Sequence, residues 1–306
     1  MGEMLKGKVS VITGGGGGLG REIALAMHQA GASVVVNDLG ATLSGKGEVT
    51  SSAADTVVAM INSAGGHAAA NYDSVTTLAG GERIVGSAIQ HFGRLDILVT
   101  CAGIIRDRML FNMTEEEWDP VIATHLKGTF TCVKPAAAMF RQQRSGRIIT
   151  VTSTAGLYGN VGQANYSSAK SAIAGLTKAI ALDLAPYGAT ANAISPIAAT
   201  RMTMTEEYKR ALEKRPATTA PSPWSPPVEQ LSPGDVAPVV VYLASDQANK
   251  INGEVVYVAG GTVSRMLPPR PIRTIHKSGT WSVQDLLEAM PDTLIAAISK
   301  PPRAQE

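Results

Sequence analysis

The chain has 306 residues, 44% of them hydrophobic and 17% charged, which excludes wholesale disorder and leaves material for a large core. Its 27 basic and 25 acidic residues give a net charge of +2, too balanced for a nucleic-acid or membrane-surface protein. Two cysteines, Cys101 and Cys132, cannot form a disulfide framework, and no apolar run reaches membrane-spanning length, so a reducing, cytoplasmic setting is expected.

Residues 9–12 form a short apolar run that stops at glycine, as a buried parallel strand does. Helical spacing follows over 21–30 and ends at Gly31. Residues 33–37 read as a second strand closing at Asp38, 52–64 as a helix, and 68–71 as a third strand before Tyr72 and Asp73. A helix over 81–92 leads to a strand over 95–99, which runs into Cys101-Ala102-Gly103. A long helical region starts near Thr114, whose side chain can cap the acidic first turn Glu115-Glu116-Glu117, and it continues through His125 and Met139. Residues 146–151 read as a strand and 162–185 as a long helix rich in small residues. The last strands fall at 190–194 and 253–258, with a helix over 235–245 between them.

Strand and helix alternate throughout, which predicts an α/β fold: one doubly wound parallel sheet in a single domain over 1–262. Two segments break the alternation. Residues 215–233 carry six prolines and cannot be regular; their place beyond the sixth strand predicts a lid, spanning about 203–233, over a substrate. The sheet is expected to finish at Gly260-Gly261, leaving 263–306 as an extension with a short helix after Ser282.

The run Gly14-Gly15-Gly16-Gly17-Gly18-Leu19-Gly20 lies between a strand and a helix, the context a phosphate cradle needs. Gly14, Gly18 and Gly20 let the backbone turn tightly and approach a pyrophosphate, with the helix N-terminus supplying positive potential. Asp38 closes the second strand about twenty residues later, where an acid bonds ribose hydroxyls and repels a 2′-phosphate, so NAD is expected rather than NADP. Tyr166 and Lys170 lie four apart on one helix face. A tyrosine titrates near ~10, and a neighbouring ammonium favours its phenolate, which can take a hydroxyl proton as hydride leaves carbon. Ser153, just past a strand end, can bond the same oxygen. A Tyr–Lys pair is commonly a solvated face; its coincidence with the glycine cradle points to chemistry.

The chain resembles the short-chain dehydrogenase/reductase family over about residues 5–262. The resemblance is carried by Thr13-Gly14 with Gly18 and Gly20, Asp73, Cys101-Ala102-Gly103, Ser153, Tyr166, Lys170, and Pro196 with Thr200. Within it, Val36-Asn37-Asp38-Leu39-Gly40, Asn71-Tyr72-Asp73-Ser74-Val75, residues 102–108, His125-Leu126-Lys127-Gly128 and residues 158–166 resemble the dehydrogenase unit of peroxisomal multifunctional enzyme type 2. That unit oxidises (3R)-hydroxyacyl-CoA with NAD and accepts some 17β-hydroxysteroids.

The resemblance implies NAD as the cofactor, no metal, an acyl-CoA or other small alcohol as substrate, and a homotetramer. It implies that Ser153 orients the substrate oxygen, that Tyr166 is the acid–base, and that Lys170 holds the nicotinamide ribose. Leu19, Ser74, Ala102 and Gly103 join the dinucleotide site, Asp73 contacts adenine, and Pro196, Ile197 and Thr200 face the carboxamide. The chain departs from the family at Thr100 and Cys101, where two asparagines are usual, so a strand–helix contact is expected to be lost. Cys101 reads as a small buried apolar residue rather than a reactive thiol. At His125 the family has a relay asparagine; the histidine is either a relay member or a packed helix residue. Arg106 and Arg108 can meet CoA phosphates, but pairing with Asp107 or a partner subunit is the preferred reading.

Overall fold

The computed structural model describes residues 3–42, 44–45, 52–204 and 227–295. Seven parallel strands and one antiparallel strand form a single sheet in the order β3-β2-β1-β4-β5-β6-β7-β8. The strands are β1 Val9–Thr13, β2 Ser33–Asn37, β3 Ala68–Asn71, β4 Ile97–Thr100, β5 Gly146–Val151, β6 Ala189–Ile197, β7 Val255–Ala259 and β8 Thr262–Met266. The helices are α1 Gly18–Gln29, α2 Ser52–Ser63, α3 Leu78–Phe92, α4 Glu115–Ile122, α5 Gly128–Gln143, α6 Thr154–Tyr158, α7 Ala164–Leu184, α8 Ala237–Ala244 and α9 Val283–Ala289.

The period-2 alternation of each strand divides the core into two layers. On one face Ile12, Val34, Val36 and Val99 pack under α1, α2 and α8. On the other, Val11, Val35, Leu98 and Ile148 pack under α3, α5 and α7. The order reverses between β3 and β4, so β1 and β4 are neighbours whose carboxyl ends open a crevice, the place where open α/β sheets bind ligands.

The sheet does not stop at Gly261. Thr262–Met266 turns back as β8 and pairs antiparallel with β7, from Ala259↔Thr262 to Val255↔Met266. The hairpin buries little of β8, whose alternation of half-buried and exposed residues gives no strong strand signal. The long helical region after Thr114 runs unbroken from Glu115 to Gln143, with one irregular turn inside it. Thr114 and Glu117 form the expected capping box on α4, and the irregular turn is a π-turn at Ala123–Lys127, between α4 and α5. A single inserted residue leaves the apolar pattern almost unchanged, so periodicity cannot show it. The five-residue α6, capped by the Ser153 side chain accepting from the Ala155 N–H, is too short for a periodic signal.

Of the proline-rich segment, 205–226 and with them Trp224 lie outside the described residues. Its end is described: a 3-10 turn at Val228–Gln230 leads to buried Leu231, whose carbonyl accepts the Ala199 N–H at 2.7 Å just past β6. The chain divides into two compact units, Met1–Met266 and Leu267–Glu306. In the second, Ser282 caps α9 through a capping box with Asp285, and Lys277 pairs with Asp285 beside Trp281. Among the described residues no helix is long and apolar enough to cross a membrane.

Candidate active site

A cavity of about 530 Å³ opens at the carboxyl ends of β1 and β4. Its floor is the glycine run. Gly14 has φ +67°, and a Cβ there would sit 2.7 Å from Ala102 Cα. A Cβ on Gly20 would lie 2.1 Å from the Gly14 carbonyl oxygen. The loop and the first turn of α1 therefore touch backbone to backbone, which only glycine permits. Gly17 and Gly18 start α1 on the cavity wall with no side-chain cap, so the helix presents free N–H groups to whatever enters. This cradle fits a dinucleotide diphosphate.

Asp38 lies on the wall at the end of β2. Its Oδ2 accepts the Gly16 N–H at 2.9 Å and its Oδ1 the Gly40 N–H at 2.7 Å. Each oxygen keeps a lone pair, so the carboxylate is held in place and can still accept from a ribose. Asp73 and Ser74 follow β3. Asp73 bonds Arg83 Nε at 2.6 Å and Asn71 Nδ2 at 3.0 Å, and Ser74 Oγ lies 2.9 Å from Thr76 Oγ1. Asn37, buried between them, donates to Asn71 Oδ1 and to the Asp73 carbonyl, tying the β2 and β3 ends together.

The departures at Thr100 and Cys101 do not open a gap. Thr13 Oγ1 accepts the Cys101 and Ala102 N–H groups at 3.1 and 3.2 Å. Thr129 Oγ1 donates to the His125 carbonyl at 2.8 Å and lies 3.5 Å from Thr100 Oγ1, so threonines make the strand–helix contact. Cys101 lines the cavity, and burial pushes its thiol up to about 11, which disfavours the thiolate.

Tyr166 and Lys170 project from the first turns of α7 into the cavity. Ser153 follows β5 and favours ionisation of the tyrosine hydroxyl without lining the cavity itself. Lys170 is 4% exposed; its Nζ donates to the Val151 carbonyl at 2.7 Å and stands 5.5 Å from the Tyr166 ring centroid. Burial dominates and pushes Tyr166 up to about 12, with Ser153 opposing it. Burial also lowers Lys170 to about 8.

His125 is buried in the π-turn and meets Tyr166 edge-on, with ring centroids 5.1 Å apart. Gly103 makes room for it, since a Cβ there would fall 2.3 Å from His125 Cε1. Pro196, at the end of β6, and Thr200, just past it, line the far wall, whereas Ile197 does not. Leu19 completes the lining near the glycine run.

Sequence reading missed the residues that hold this arrangement. Buried Asn165 donates to the Arg106 and Glu117 carbonyls at 2.9 and 2.8 Å and accepts the Tyr166 N–H, pinning the start of α7. Thr152 Oγ1 bonds the Lys170 carbonyl at 2.6 Å. Arg201 Nη2 would lie 3.4 Å from a Cβ on Gly17, a cation over the cradle. Asn165 was visible as an amide adjoining the tyrosine; the other two have no local signal. Arg106 Nε donates to the Ser44 carbonyl at 2.8 Å, joining two loops, and Arg108 pairs with Glu117 of α4 at 3.2 Å.

The family described as Enoyl-(Acyl carrier protein) reductase matches residues 15–263. A hydroxyacyl-CoA dehydrogenase of Mycobacterium tuberculosis is 40% identical over 297 residues, 94% of this chain and 89% of that protein. A peroxisomal hydratase-dehydrogenase-epimerase of Neurospora crassa is 42% identical over 270 residues, 87% of this chain but 28% of that longer protein. The crystal structure of a short chain dehydrogenase from Mycobacterium avium superposes with a TM-score of 0.81 at 38% identity, covering 98% of each chain. By its sheet, its glycine cradle and these relatives, the chain belongs to the short-chain dehydrogenase/reductase family of oxidoreductases.

Proposed function

We propose that the chain oxidises the hydroxyl of a 3-hydroxyacyl-CoA to the ketone with NAD as the hydride acceptor. The observation that carries the chemistry is the pair on the cavity wall, Tyr166 with Lys170 Nζ 5.5 Å from its ring centroid, next to the glycine cradle. Bound NAD supplies the acceptor for the hydride leaving the carbinol carbon. Ser153 Oγ and Tyr166 Oη hold the substrate oxygen between them, and Tyr166 Oη exchanges the hydroxyl proton. Lys170, anchored on the Val151 carbonyl, supplies positive charge behind the phenol and a donor for the nicotinamide ribose.

Gly14, Gly18, Leu19 and Gly20 would hold the diphosphate, and Asp38 the adenosine ribose. Asp73 and Ser74 would flank the adenine, Ala102 and Gly103 the dinucleotide's middle, and Pro196, Ile197 and Thr200 the carboxamide. NAD is favoured over NADP because a 2′-phosphate would meet the Asp38 carboxylate, and its chain neighbours Asn37 and Leu39 carry no charge. The acyl-CoA is supported by the similarity to the mycobacterial hydroxyacyl-CoA dehydrogenase and to the fungal hydratase-dehydrogenase-epimerase.

The test is kcat/KM for a (3R)-hydroxyacyl-CoA, a 17β-hydroxysteroid and a hydroxyacyl carrier-protein thioester, each with NAD and NADP. The acyl-CoA with NAD is expected to lead. An advantage of about tenfold, or ~1.4 kcal/mol, for either other substrate overturns the substrate class, and one for NADP overturns the cofactor.

A further inference from the structure

The turn after β6 places a cation over the glycine cradle that the proposed chemistry leaves without a task. Arg201 is exposed on the cavity wall, and its Nη2 lies 3.4 Å from the position that a Cβ on Gly17 would take. Gly17 is the N-cap of α1; it has no side chain to cap the helix, and the first turn of α1 holds no acid. Among the described residues no carboxylate pairs with Arg201. The acids beside the cradle have other partners: Asp38 accepts from the Gly16 and Gly40 amides, and Glu22 lies 3.9 Å from Arg21.

The guanidinium and the start of α1 are therefore two positive groups facing one another with no acid between them. Their repulsion raises the energy of the cradle on its own, and an anion between them removes it. The backbone that carries Arg201 is already set. The Thr200 N–H donates to Thr203 Oγ1 at 2.8 Å, Thr203 Oγ1 donates to the Ala198 carbonyl at 2.6 Å, and the Met204 N–H donates to the Thr200 carbonyl at 2.9 Å. Thr200 stands 4.0 Å from a Cβ on Gly18, so this turn lies against the start of α1.

We propose that Arg201 is a diphosphate-binding residue: its guanidinium closes the cradle from the β6 side and donates to phosphate oxygens that the α1 amides leave open. The inference rests on the reading of the glycine run as the diphosphate site of a dinucleotide. A planar guanidinium gives two parallel N–H bonds to a phosphate and stays charged at every working pH. The 2′-phosphate of NADP fits less well, because it would share Arg201 with the Asp38 carboxylate, held one residue away at the Gly16 N–H.

ADP-ribose tests this without turnover, since it carries the diphosphate and no nicotinamide. Its Kd is measured by calorimetry, and that of NADH by fluorescence, in wild type, Arg201→Ala and Arg201→Glu. Arg201→Ala is expected to weaken both ligands by the same factor, roughly tenfold or more, the scale of one charged hydrogen-bonding partner. It is also expected to make affinity less sensitive to salt. Arg201→Glu, which puts a carboxylate over the diphosphate, is expected to weaken both further.

An ADP-ribose Kd in Arg201→Ala within about threefold of wild type overturns the proposal, as do equal affinities in the two variants. A loss confined to NADP would assign Arg201 to a 2′-phosphate, and a raised acyl-CoA KM with NADH affinity unchanged would assign it to the phosphates of CoA; either also overturns it. The two readings fail separately. If wild type does not bind ADP-ribose, the diphosphate reading falls and the proposal with it; if wild type and Arg201→Ala bind it alike, only the role of Arg201 falls.

Discussion

Two charged side chains set how this site titrates and what it accepts. Lys170 is ionised in a place that penalises charge, and burial lowers it to about 8. A folded pKa below the unfolded one contributes stability that is present above the unfolded value and lost as pH falls through the folded one. At neutral pH the lysine is therefore a cost to the fold, retained for its effect on Tyr166 and the cofactor. Lys170→Met is expected to lose turnover while keeping Tm at pH 7 at or above wild type; a drop of more than about 4 °C would show that the lysine stabilises the fold. Asp38 is the second. Its hydrogen bonds to the Gly16 and Gly40 amides fix it whether or not a ribose is present. A hydrogen bond to a charged group is worth about 1.5–3 kcal/mol, so Asp38→Ala should narrow the NAD preference by at least ~10-fold. Titrating both dinucleotides by tryptophan quenching checks this, and an unchanged preference would remove Asp38 from cofactor choice.

At the scale of elements, the glycine run is a packing device as well as a cradle. Gly20 sits where a Cβ would meet a backbone oxygen, whereas Gly18, at φ +50°, has only Thr200 at 4.0 Å. Gly20→Ala must move the loop and is expected to cost about 1–3 kcal/mol with loss of dinucleotide binding. Gly18→Ala meets only the left-handed backbone penalty of about 1–2 kcal/mol and should leave the loop in place when no dinucleotide is present. Thermal melts with and without NAD separate the two; equal behaviour would contradict the packing account. The same scale shows what could be read beforehand. The Gly14–Gly20 run and the Tyr166–Lys170 spacing are local, so they were legible. The Thr13, Thr129 and Asn165 contacts depend on which strand ends and helices meet, and no local pattern carries that. Spacing shows the lysine near Tyr166 but not the burial that raises the tyrosine.

At the scale of the whole molecule, alternation of strand and helix made the sheet and its crevice legible, while β8 escaped because an edge strand needs no strong apolar pattern. The outward face of α7 bears Ser168, Ser171, Gly175 and Ala179, all exposed and spaced along one side. Small side chains let a second helix approach closely, so pairing of α7 across a two-fold axis, within a homotetramer, is the expected assembly. Light scattering at micromolar concentration checks it, and a monomeric mass would refute it.

The central claim is that this cavity moves the proton of an alcohol through Tyr166 Oη. It is tested most directly by Tyr166→Phe, measured for NADH formation and for NAD affinity in the same preparation. The account predicts a rate below about a hundredth of wild type with affinity changed by less than about threefold, because only the proton-transfer hydroxyl is removed. A variant that keeps a tenth or more of wild-type turnover, roughly 1.4 kcal/mol or less in barrier, would contradict it.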